Sequence, residues 1–207
     1  MRDGVVLRAN VYRPTGAGSY PVLLSRQPYN KDVNINLMYA DPVRLAAHGY
    51  IVVMQDVRGR YASDGEFTPG EQEFDDGYDT VAWAAGLPGS DGRVGMFGRS
   101  YHSETQWRAA VMQPPALRSI VTGVSKFHDN TEAEERRGGA HEGDRLGWLQ
   151  FQIGPDLLAR RHRGDPAATP RPWPGPWPST ARRRRGWRPA SCTEFSPCAS
   201  SETCPAA

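Results

Sequence analysis

The first 191 residues of this 207-residue chain contain no cysteine, and only 2 of its 25 basic residues are lysine. The three cysteines, Cys192, Cys198 and Cys204, are each separated by five residues. That spacing fits no common zinc-binding pattern, and an odd number of cysteines cannot form a complete set of disulfides. We therefore expect neither a disulfide framework nor a zinc site. The dominance of arginine over lysine indicates a GC-rich gene.

The chain also lacks any apolar run approaching the ~18 residues of a membrane span, and no charged-then-apolar leader follows Met1. These absences predict a cytoplasmic protein with no membrane partner. Charge is unevenly distributed, with 17 Lys+Arg against 20 Asp+Glu in residues 1–160 and 8 against 3 in residues 161–207. The basic excess therefore belongs to the C-terminal tail, and we predict no nucleic-acid partner for the body of the protein.

Strand and helix patterns alternate along the first 123 residues. Strands are predicted at residues 5–13, 21–26, 50–56, 93–98 and 116–123. Helices are predicted to start at Asp41, near residue 72 and at residue 101, and to end before Gly49, at Gly86 and before Pro114. Alternation at this spacing implies right-handed crossovers, so the body is predicted to be an α/β domain with a parallel sheet covered on both faces.

The character of the sequence changes near residue 160. Half of the 18 prolines and all the cysteines follow that point, together with a run of four arginines at 182–185. Proline removes strand donors and blocks helical geometry, so residues 161–207 are predicted to be disordered or polyproline-like. We interpret residues 1–123 as an α/β core.

The stretch RVGMFGRSYHSETQW, residues 93–107, places Ser100 directly between a predicted buried strand and a predicted helix. A serine hydroxyl reacts only when a base removes its proton and the chain presents its oxygen to substrate. A sharp strand-to-helix turn flanked by small residues presents the serine oxygen to substrate. Gly98 stands at the expected place before the serine, whereas His102 replaces the usual glycine after it. Ser100 is therefore a candidate nucleophile.

Several blocks of the sequence resemble the X-Pro dipeptidyl-peptidase and cocaine esterase group of serine hydrolases. In order they are MRDGVVL with VYRP, RQPYNK, GYIVVMQDVRG with SDGEF, DDGYDTVAW, and SDGRVGMFGRSY with TQWRAA. The resemblance implies an alpha/beta-hydrolase fold of which this chain has the N-terminal half of a mostly parallel sheet, apparently truncated. It also implies hydrolysis of an ester or a peptide bond in a small-molecule substrate through an acyl-enzyme, without a cofactor.

The resemblance assigns roles to individual residues. The G-x-S-Y-x-G element of the family is matched by Gly98, Ser100 and Tyr101, while Ser103 replaces its last glycine, a departure expected to crowd the first helical turn. By the same resemblance, the oxyanion hole consists of the backbone N–H of Tyr101 and the hydroxyl of Tyr29. Tyr29 follows the strand at 21–26, so its loop is expected at the carboxyl edge of the sheet, beside Ser100.

We expect charged residues elsewhere in the core to have structural roles. Asp56 and Arg58 are expected to fix loops through ion pairs and hydrogen bonds. Asp75, Asp76 and Asp79 are expected to complement the start of a helix rather than to bind metal.

No histidine matches the base that the resemblance requires, since that residue and its acid should follow the last predicted strand at some distance. His48 is interpreted as a helix-capping residue, and His102 is expected to point away from the Ser100 oxygen. The resemblance implies that residues 124–160 are the start of a helical cap, which contains His128 and His141, and His162 lies in the tail. A truncated or frame-shifted hydrolase accounts for this pattern.

Two other functions compete with an active hydrolase. A catalytically inactive fragment could act as a binding or assembly module, and a basic tail could bind nucleic acid. The preference between esters and X-Pro peptides, and the oligomeric state, are left open by the sequence.

Overall fold

The computed structural model of the chain describes residues 1–33, 40–124 and 147–163. The strands are β1 (Ala9–Tyr12), β2 (Tyr20–Gln27), β3 (Ile51–Asp56), β4 (Ser90–Arg99) and β5 (Leu117–Gly123). The helices are α1 (Pro42–Ala47), α2 (Glu73–Ala85), α3 (Tyr101–Val111), a π-helical turn (Trp148–Ile153) and α4 (Gly154–Arg161). Each of the strands and helices predicted in the first 123 residues is therefore present, with shifts at its ends.

The five strands form one sheet in the order β1-β3-β2-β4-β5. Strands β2, β3, β4 and β5 run parallel to their neighbours, whereas β1 is antiparallel to β3. The sheet is therefore mostly parallel, as predicted, and its first strand is the exception. The predicted strand over residues 5–13 shortens to four residues at the sheet edge, where β1 has a neighbour on one side only.

The core lies between the sheet and the two helices α2 and α3. Alternate residues of the central strands, such as Val22, Leu24 and Val53, are completely buried against Val81 of α2 and Ala109 of α3. All six residues of β3 are buried, as expected for a strand covered on both faces. Within the described ranges no helix is long and apolar enough to span a membrane, and the longest, α2, has 13 residues.

Helices α2 and α3 approach closely at Gly77. A Cβ atom at this position would lie 2.8 Å from the Cβ of Ala109 and 3.1 Å from its Cα. Side chains larger than hydrogen therefore do not fit between these helices, and the small residues fix the distance between them. This contact determines how α3, which follows the candidate nucleophile, lies on the sheet.

The parallel strands bring their carboxyl ends to one edge of the sheet. Because β2 and β4 are hydrogen-bonded neighbours, the loop that follows Gln27 lies next to the turn that follows Arg99. Tyr29 is in the first of these connections and Ser100 in the second, so the topology alone places the two residues side by side.

The segment 148–161 packs against the loop between β3 and α2. Arg160 Nη1 donates to the Tyr61 carbonyl at 2.8 Å, and the Tyr61 N–H donates to Asp156 Oδ2 at 3.1 Å. The chain divides into units spanning Met1–Ala168 and Thr169–Ala207, of which the second lies wholly outside the described residues. The predicted character of the tail, with its cysteines and arginine run, therefore remains a prediction.

Candidate active site

Ser100 occupies a strained turn between β4 and α3. Its backbone has φ 60° and ψ −128°, a combination that residues with a side chain rarely adopt, and Gly98 nearby has φ 134°. The Ser100 N–H donates to the carbonyl of Gly123 at 2.8 Å, which ties the turn to the end of β5. The side chain is exposed. This is the geometry of a nucleophile elbow, in which the chain presents the serine oxygen to solvent.

Ser103 supports this turn from below. Its side chain is fully buried, and its hydroxyl lies 2.9 Å from the carbonyls of Gly98 and Gly123 and accepts the Gly123 N–H at 3.0 Å. The expectation that a serine here would crowd the first helical turn was wrong, because the hydroxyl fits and cross-links the ends of β4 and β5. The substitution thus adds polar contacts beneath Ser100.

The Tyr29 hydroxyl lies beside the Ser100 side chain. Burial raises the pKa of Tyr29, while hydrogen bonding to the Trp148 indole and to the Ser100 hydroxyl acts in the opposite direction. Trp148 Nε1 donates to the Tyr29 hydroxyl oxygen at 3.1 Å, so this oxygen accepts a hydrogen bond and keeps its own proton to donate. A neutral phenol beside a serine nucleophile has the chemistry of an oxyanion donor.

Tyr101, the first residue of α3, has its backbone N–H next to Ser100. The first N–H groups of a helix have no acceptor within their own helix, so this one is directed out of the helix end beside Ser100. The Tyr101 side chain points the other way: its buried hydroxyl donates to Glu73 Oε1 at 3.1 Å and accepts the Gly70 N–H at 3.3 Å. Burial, reinforced by the Glu73 charge, raises the pKa of Tyr101 well above its usual value.

A buried ion pair lies beneath Tyr101. Arg26 Nη1 is 2.8 Å from Glu73 Oε2, and both side chains are completely buried. Burial raises the pKa of Glu73, and Arg26 opposes that shift. Arg26 Nε also donates to Gln55 Oε1 at 2.8 Å. The far end of the Tyr101 side chain is thus held by a polar cluster that joins α2 to β2 and β3.

Trp148 links the two expected oxyanion donors, a contact that the sequence analysis did not predict. Besides its hydrogen bond to Tyr29, its ring stacks on that of Tyr101, with centroids 6.0 Å apart and planes at 17°. Trp148 is 119 residues from Tyr29 in the chain. The only signal in the sequence was a tryptophan at the end of a glycine-containing segment, which does not by itself indicate a partner.

His102 is not positioned as a base for Ser100. Its ring is buried against Tyr29, with centroids 5.7 Å apart, and burial lowers its pKa to about 4. Nδ1 lies 3.0 Å from the Arg99 carbonyl, which can only accept, so Nδ1 carries the proton. Nε2 is then an acceptor, and it lies 3.1 Å from Gln27 Oε1. An amide oxygen also only accepts, so this contact is a hydrogen bond when the Gln27 amide is turned over and its NH2 group, which otherwise has no partner among the described residues, donates to Nε2. Both nitrogens are occupied, as expected for a ring directed away from the Ser100 oxygen.

The other described histidines occupy helix ends. His48 caps the C-terminus of α1, where Nδ1 lies 2.8 Å from the Arg44 carbonyl, as expected, and His162 caps α4. His128 and His141 lie outside the described residues. Among the histidines that the structure describes, none is therefore assigned as the base.

Asp56 ties together the loops around the candidate site, which agrees with its expected structural role. Its carboxylate accepts the Lys31 N–H at 2.7 Å and the Ala62 N–H at 3.4 Å. The Ser63 hydroxyl donates to the Asp56 carbonyl at 2.7 Å. Burial raises the pKa of the Asp56 carboxyl to about 6, although the two N–H donors oppose the shift. This residue therefore changes charge close to neutral pH.

Arg58 joins the N-terminal segment to α2. Its guanidinium contacts Asp76 Oδ1 and Asp3 Oδ2, each at 2.6 Å. Arg58 lowers the pKa of Asp3 to about 2. The expectation that Arg58 fixes a loop through ion pairs agrees with these contacts.

Asp75 and Asp76 stand in the first turn of α2, as expected, but Asp79 lies beyond that turn. The expectation that Asp79 complements the helix start was therefore wrong. It accepts the Arg2 N–H at 2.8 Å and pairs with the Arg2 guanidinium at 2.7 Å. In the described part of the chain no group of His, Cys, Asp and Glu side chains is arranged to hold a metal ion.

Comparison with known proteins decides the family. The family model described as X-Pro dipeptidyl-peptidase (S15 family) matches residues 3–189. The chain belongs to this family. It is 39% identical over 169 residues to a cocaine esterase from Rhodococcus sp. (strain MB1 Bresler), an alignment that covers 80% of this chain and 29% of that one.

Solved structures with similar folds are consistent with this assignment. A CocE/NonD family hydrolase from Staphylococcus aureus matches with a TM-score of 0.53 and 32% identity, over 58% of this chain and 25% of that one. An aminopeptidase from a marine sediment Thaumarchaeota archaeon matches with a TM-score of 0.55 and 30% identity, over 61% and 24%. The predicted alpha/beta-hydrolase fold is confirmed for this S15-family chain.

This S15-family chain spans less than a third of the length of these relatives. The activity of the full-length relatives therefore cannot be assigned to this chain on similarity alone. What its described residues can do chemically has to be argued from their own geometry.

Proposed function

We propose that this chain carries the nucleophile and the oxyanion hole of a serine hydrolase that cleaves an ester or a peptide bond in a small-molecule substrate. The observation that supports the proposal is the strained turn at Ser100, with an exposed hydroxyl beside the neutral phenol of Tyr29. A chain does not keep a side chain at φ 60° without compensation from its surroundings, and such strain occurs preferentially at functional sites.

In the proposed reaction, Ser100 Oγ attacks the carbonyl carbon of the substrate and gives its proton to a base. The carbonyl oxygen becomes negatively charged and is stabilised by hydrogen bonds from the Tyr29 hydroxyl and the Tyr101 N–H. The alcohol or amine then leaves with a proton, and the acyl group stays on Ser100. Water hydrolyses this acyl-enzyme and restores the serine hydroxyl. Each oxyanion donor contributes about 3–4 kcal/mol to such a step when measured by deletion.

The base has no assigned residue in the ranges 1–33, 40–124 and 147–163. His102 is neutral and fully engaged, and the other described histidines cap helices distant in sequence from Ser100. Loss of a triad base lowers turnover on the order of a millionfold. The rate of this chain therefore depends on whether a base reaches Ser100.

The substrate preference stays open between two classes. Relatives of this chain are named as a cocaine esterase and an aminopeptidase, and the family as an X-Pro dipeptidyl-peptidase. Ester and amide hydrolysis use the same nucleophile and the same oxyanion hole. The described site is therefore compatible with either bond.

A fluorophosphonate probe tests the proposal, because it labels activated serines. We expect labelling of the purified chain that is lost in Ser100→Ala and strongly slowed in Tyr29→Phe. Ser119→Ala is the matched control, since Ser119 is an exposed serine on β5 and its removal should leave labelling unchanged. Equal labelling of the Ser100→Ala variant and the unmodified chain contradicts the proposal.

A second candidate function is a catalytically inactive binding or assembly module. The observation in its favour is the engagement of both His102 nitrogens away from Ser100. Under this reading the probe does not label Ser100 at any pH. Labelling that depends on Ser100 excludes it.

A further inference from the structure

Arg60 is fully buried, yet it belongs to neither of the two ion-paired networks described above. Its guanidinium donates three hydrogen bonds to backbone carbonyls: Nε to Pro28 at 3.0 Å, Nη1 to Ile153 at 2.8 Å and Nη2 to Gln152 at 3.1 Å. Nη1 also lies 3.5 Å from Oδ2 of Asp156 in the first turn of α4, a longer ion pair to the same segment as Ile153. Burial lowers the pKa of Arg60. A buried cation is costly unless its donors are satisfied, so this arrangement requires a close fit.

The carbonyls that Arg60 binds belong to two segments far apart in the sequence. One segment is the loop after β2, and the other is the π-helical turn that continues into α4. A guanidinium is planar and rigid, so its donors fix the relative position of the groups that accept from them. Arg60 thereby holds these two segments in one geometry.

Each of these segments carries a residue of the candidate active site. Pro28 directly precedes Tyr29, and Gln152 lies about one turn after Trp148. The Trp148 indole donates to the Tyr29 hydroxyl at 3.1 Å. Arg60 and this hydrogen bond therefore join the same two segments at two places, and a shift at one is transmitted to the other.

Arg60 also lies against Phe67, which packs near Tyr101, the second expected oxyanion donor. Its guanidinium lies 5.2 Å from the centre of the Phe67 ring, which in turn is 6.2 Å from the ring of Tyr101. This contact is indirect, since the Tyr101 side chain is also held by Glu73. The effect of Arg60 should therefore be strongest at Tyr29.

We propose that Arg60 is a positioning residue that sets the place of the Tyr29 hydroxyl by clamping its loop to the Trp148 segment. This role in catalysis rests on the proposed function of Tyr29 as an oxyanion donor. The placement of Tyr29 itself does not, and it can be measured without any activity.

The first measurement is the chemical shift of the Trp148 indole N–H in the full chain, assigned with Trp148→Phe. Tyr29→Phe removes the acceptor and should move this signal. Arg60→Lys keeps the charge but cannot make the same three-way contact, and we expect it to move the signal in the same direction. Arg60→Met serves as a second variant without charge, with its folding checked by thermal unfolding.

Arg160→Met is the matched control. Arg160 also joins the 148–161 segment to the loop after β3, through hydrogen bonds to the carbonyls of Tyr61 and Gly65 rather than to the Tyr29 loop. We expect the Trp148 signal to stay in place in this variant. An unchanged Trp148 signal in Arg60→Lys, or the same shift in Arg160→Met, overturns the proposal.

The second measurement is the rate of fluorophosphonate labelling. Loss of an oxyanion donor lowers rates by about 10²–10³-fold, which is the effect expected for Tyr29→Phe. Arg60→Lys should lower the rate at least ~10-fold alone but add little in the Tyr29→Phe background, because residues that act through one another are not additive. Full additivity overturns the positioning role. If the unmodified chain is not labelled at all, the proposed function fails, and the Trp148 signal still decides the role of Arg60.

Discussion

Replacing Ser100 by glycine should make the protein more stable than replacing it by alanine. Both substitutions remove the hydroxyl, so the difference between them reports the backbone conformation alone. At φ 60° and ψ −128° a side chain costs of the order of 1–3 kcal/mol, and glycine avoids that cost. Glycine has its own disadvantage of about 0.5–1 kcal/mol from the flexibility of the unfolded chain.

The expected net effect is about 1 kcal/mol in favour of Ser100→Gly, which corresponds to a rise in Tm of ~2–4 °C relative to Ser100→Ala for a chain of this size. Chemical and thermal unfolding of the two variants measure this difference. Ser119 provides the control, because it lies in the interior of β5 and its φ is not positive. There the order should reverse, with Ser119→Ala more stable than Ser119→Gly. If Ser100→Ala is as stable as Ser100→Gly, the turn is not strained and the argument for the elbow loses its support.

Three further predictions follow from the packing around the site. Ser103→Ala should lower the free energy of unfolding by about 1–3 kcal/mol in a urea titration, because it leaves the Gly123 N–H without its side-chain partner; no loss would mean that the hydroxyl does not cross-link the strands. Tyr101→Phe should cost a similar ~1–3 kcal/mol, since the buried Glu73 loses a donor, and a neutral result would contradict that hydrogen bond. The Asp56 carboxyl has a folded pKa of about 6, above its unfolded value of 3.8, so the folded state binds the proton more tightly. Its contribution therefore lowers the free energy of unfolding as the pH rises from about 4 to 6. Asp56→Asn should remove this part of the pH dependence of stability. An Asp56 carboxyl carbon signal that titrates near pH 4 by NMR would contradict the prediction.

The family relationship extends beyond the described core, since the family match reaches residue 189. The boundaries 1–123, 124–160 and 161–207, the frame-shift hypothesis and the cytoplasmic location nevertheless stay predictions. Residues 125–146 and 164–207 lie outside the described residues, and with them His128 and His141.

Much of the fold was predictable because its signals are local. The Asp41 side chain accepts from the Val43 N–H at the start of α1, and Gly86 ends α2, as their positions in the sequence indicated. Alternation of strands and helices implied parallel neighbours, and the resemblance in sequence gave the family. The sequence left the direction of β1 open, because β1 pairs with β3 rather than with the next strand in the chain, and its apolar pattern would be the same in either direction.

The sequence by itself determined that Ser100 could be a nucleophile, because a strand, a turn and a helix around Ser100 are encoded by neighbouring residues, and the family resemblance added Tyr29 and Tyr101 as expected oxyanion donors. Only the tertiary structure decided which residues hold them in place. Trp148 contacts Tyr29 across 119 residues, and Arg60 donates to the Ile153 carbonyl across 93 residues. Such contacts depend on how distant segments pack, so no local pattern distinguishes Arg60 from an arginine in a solvated loop.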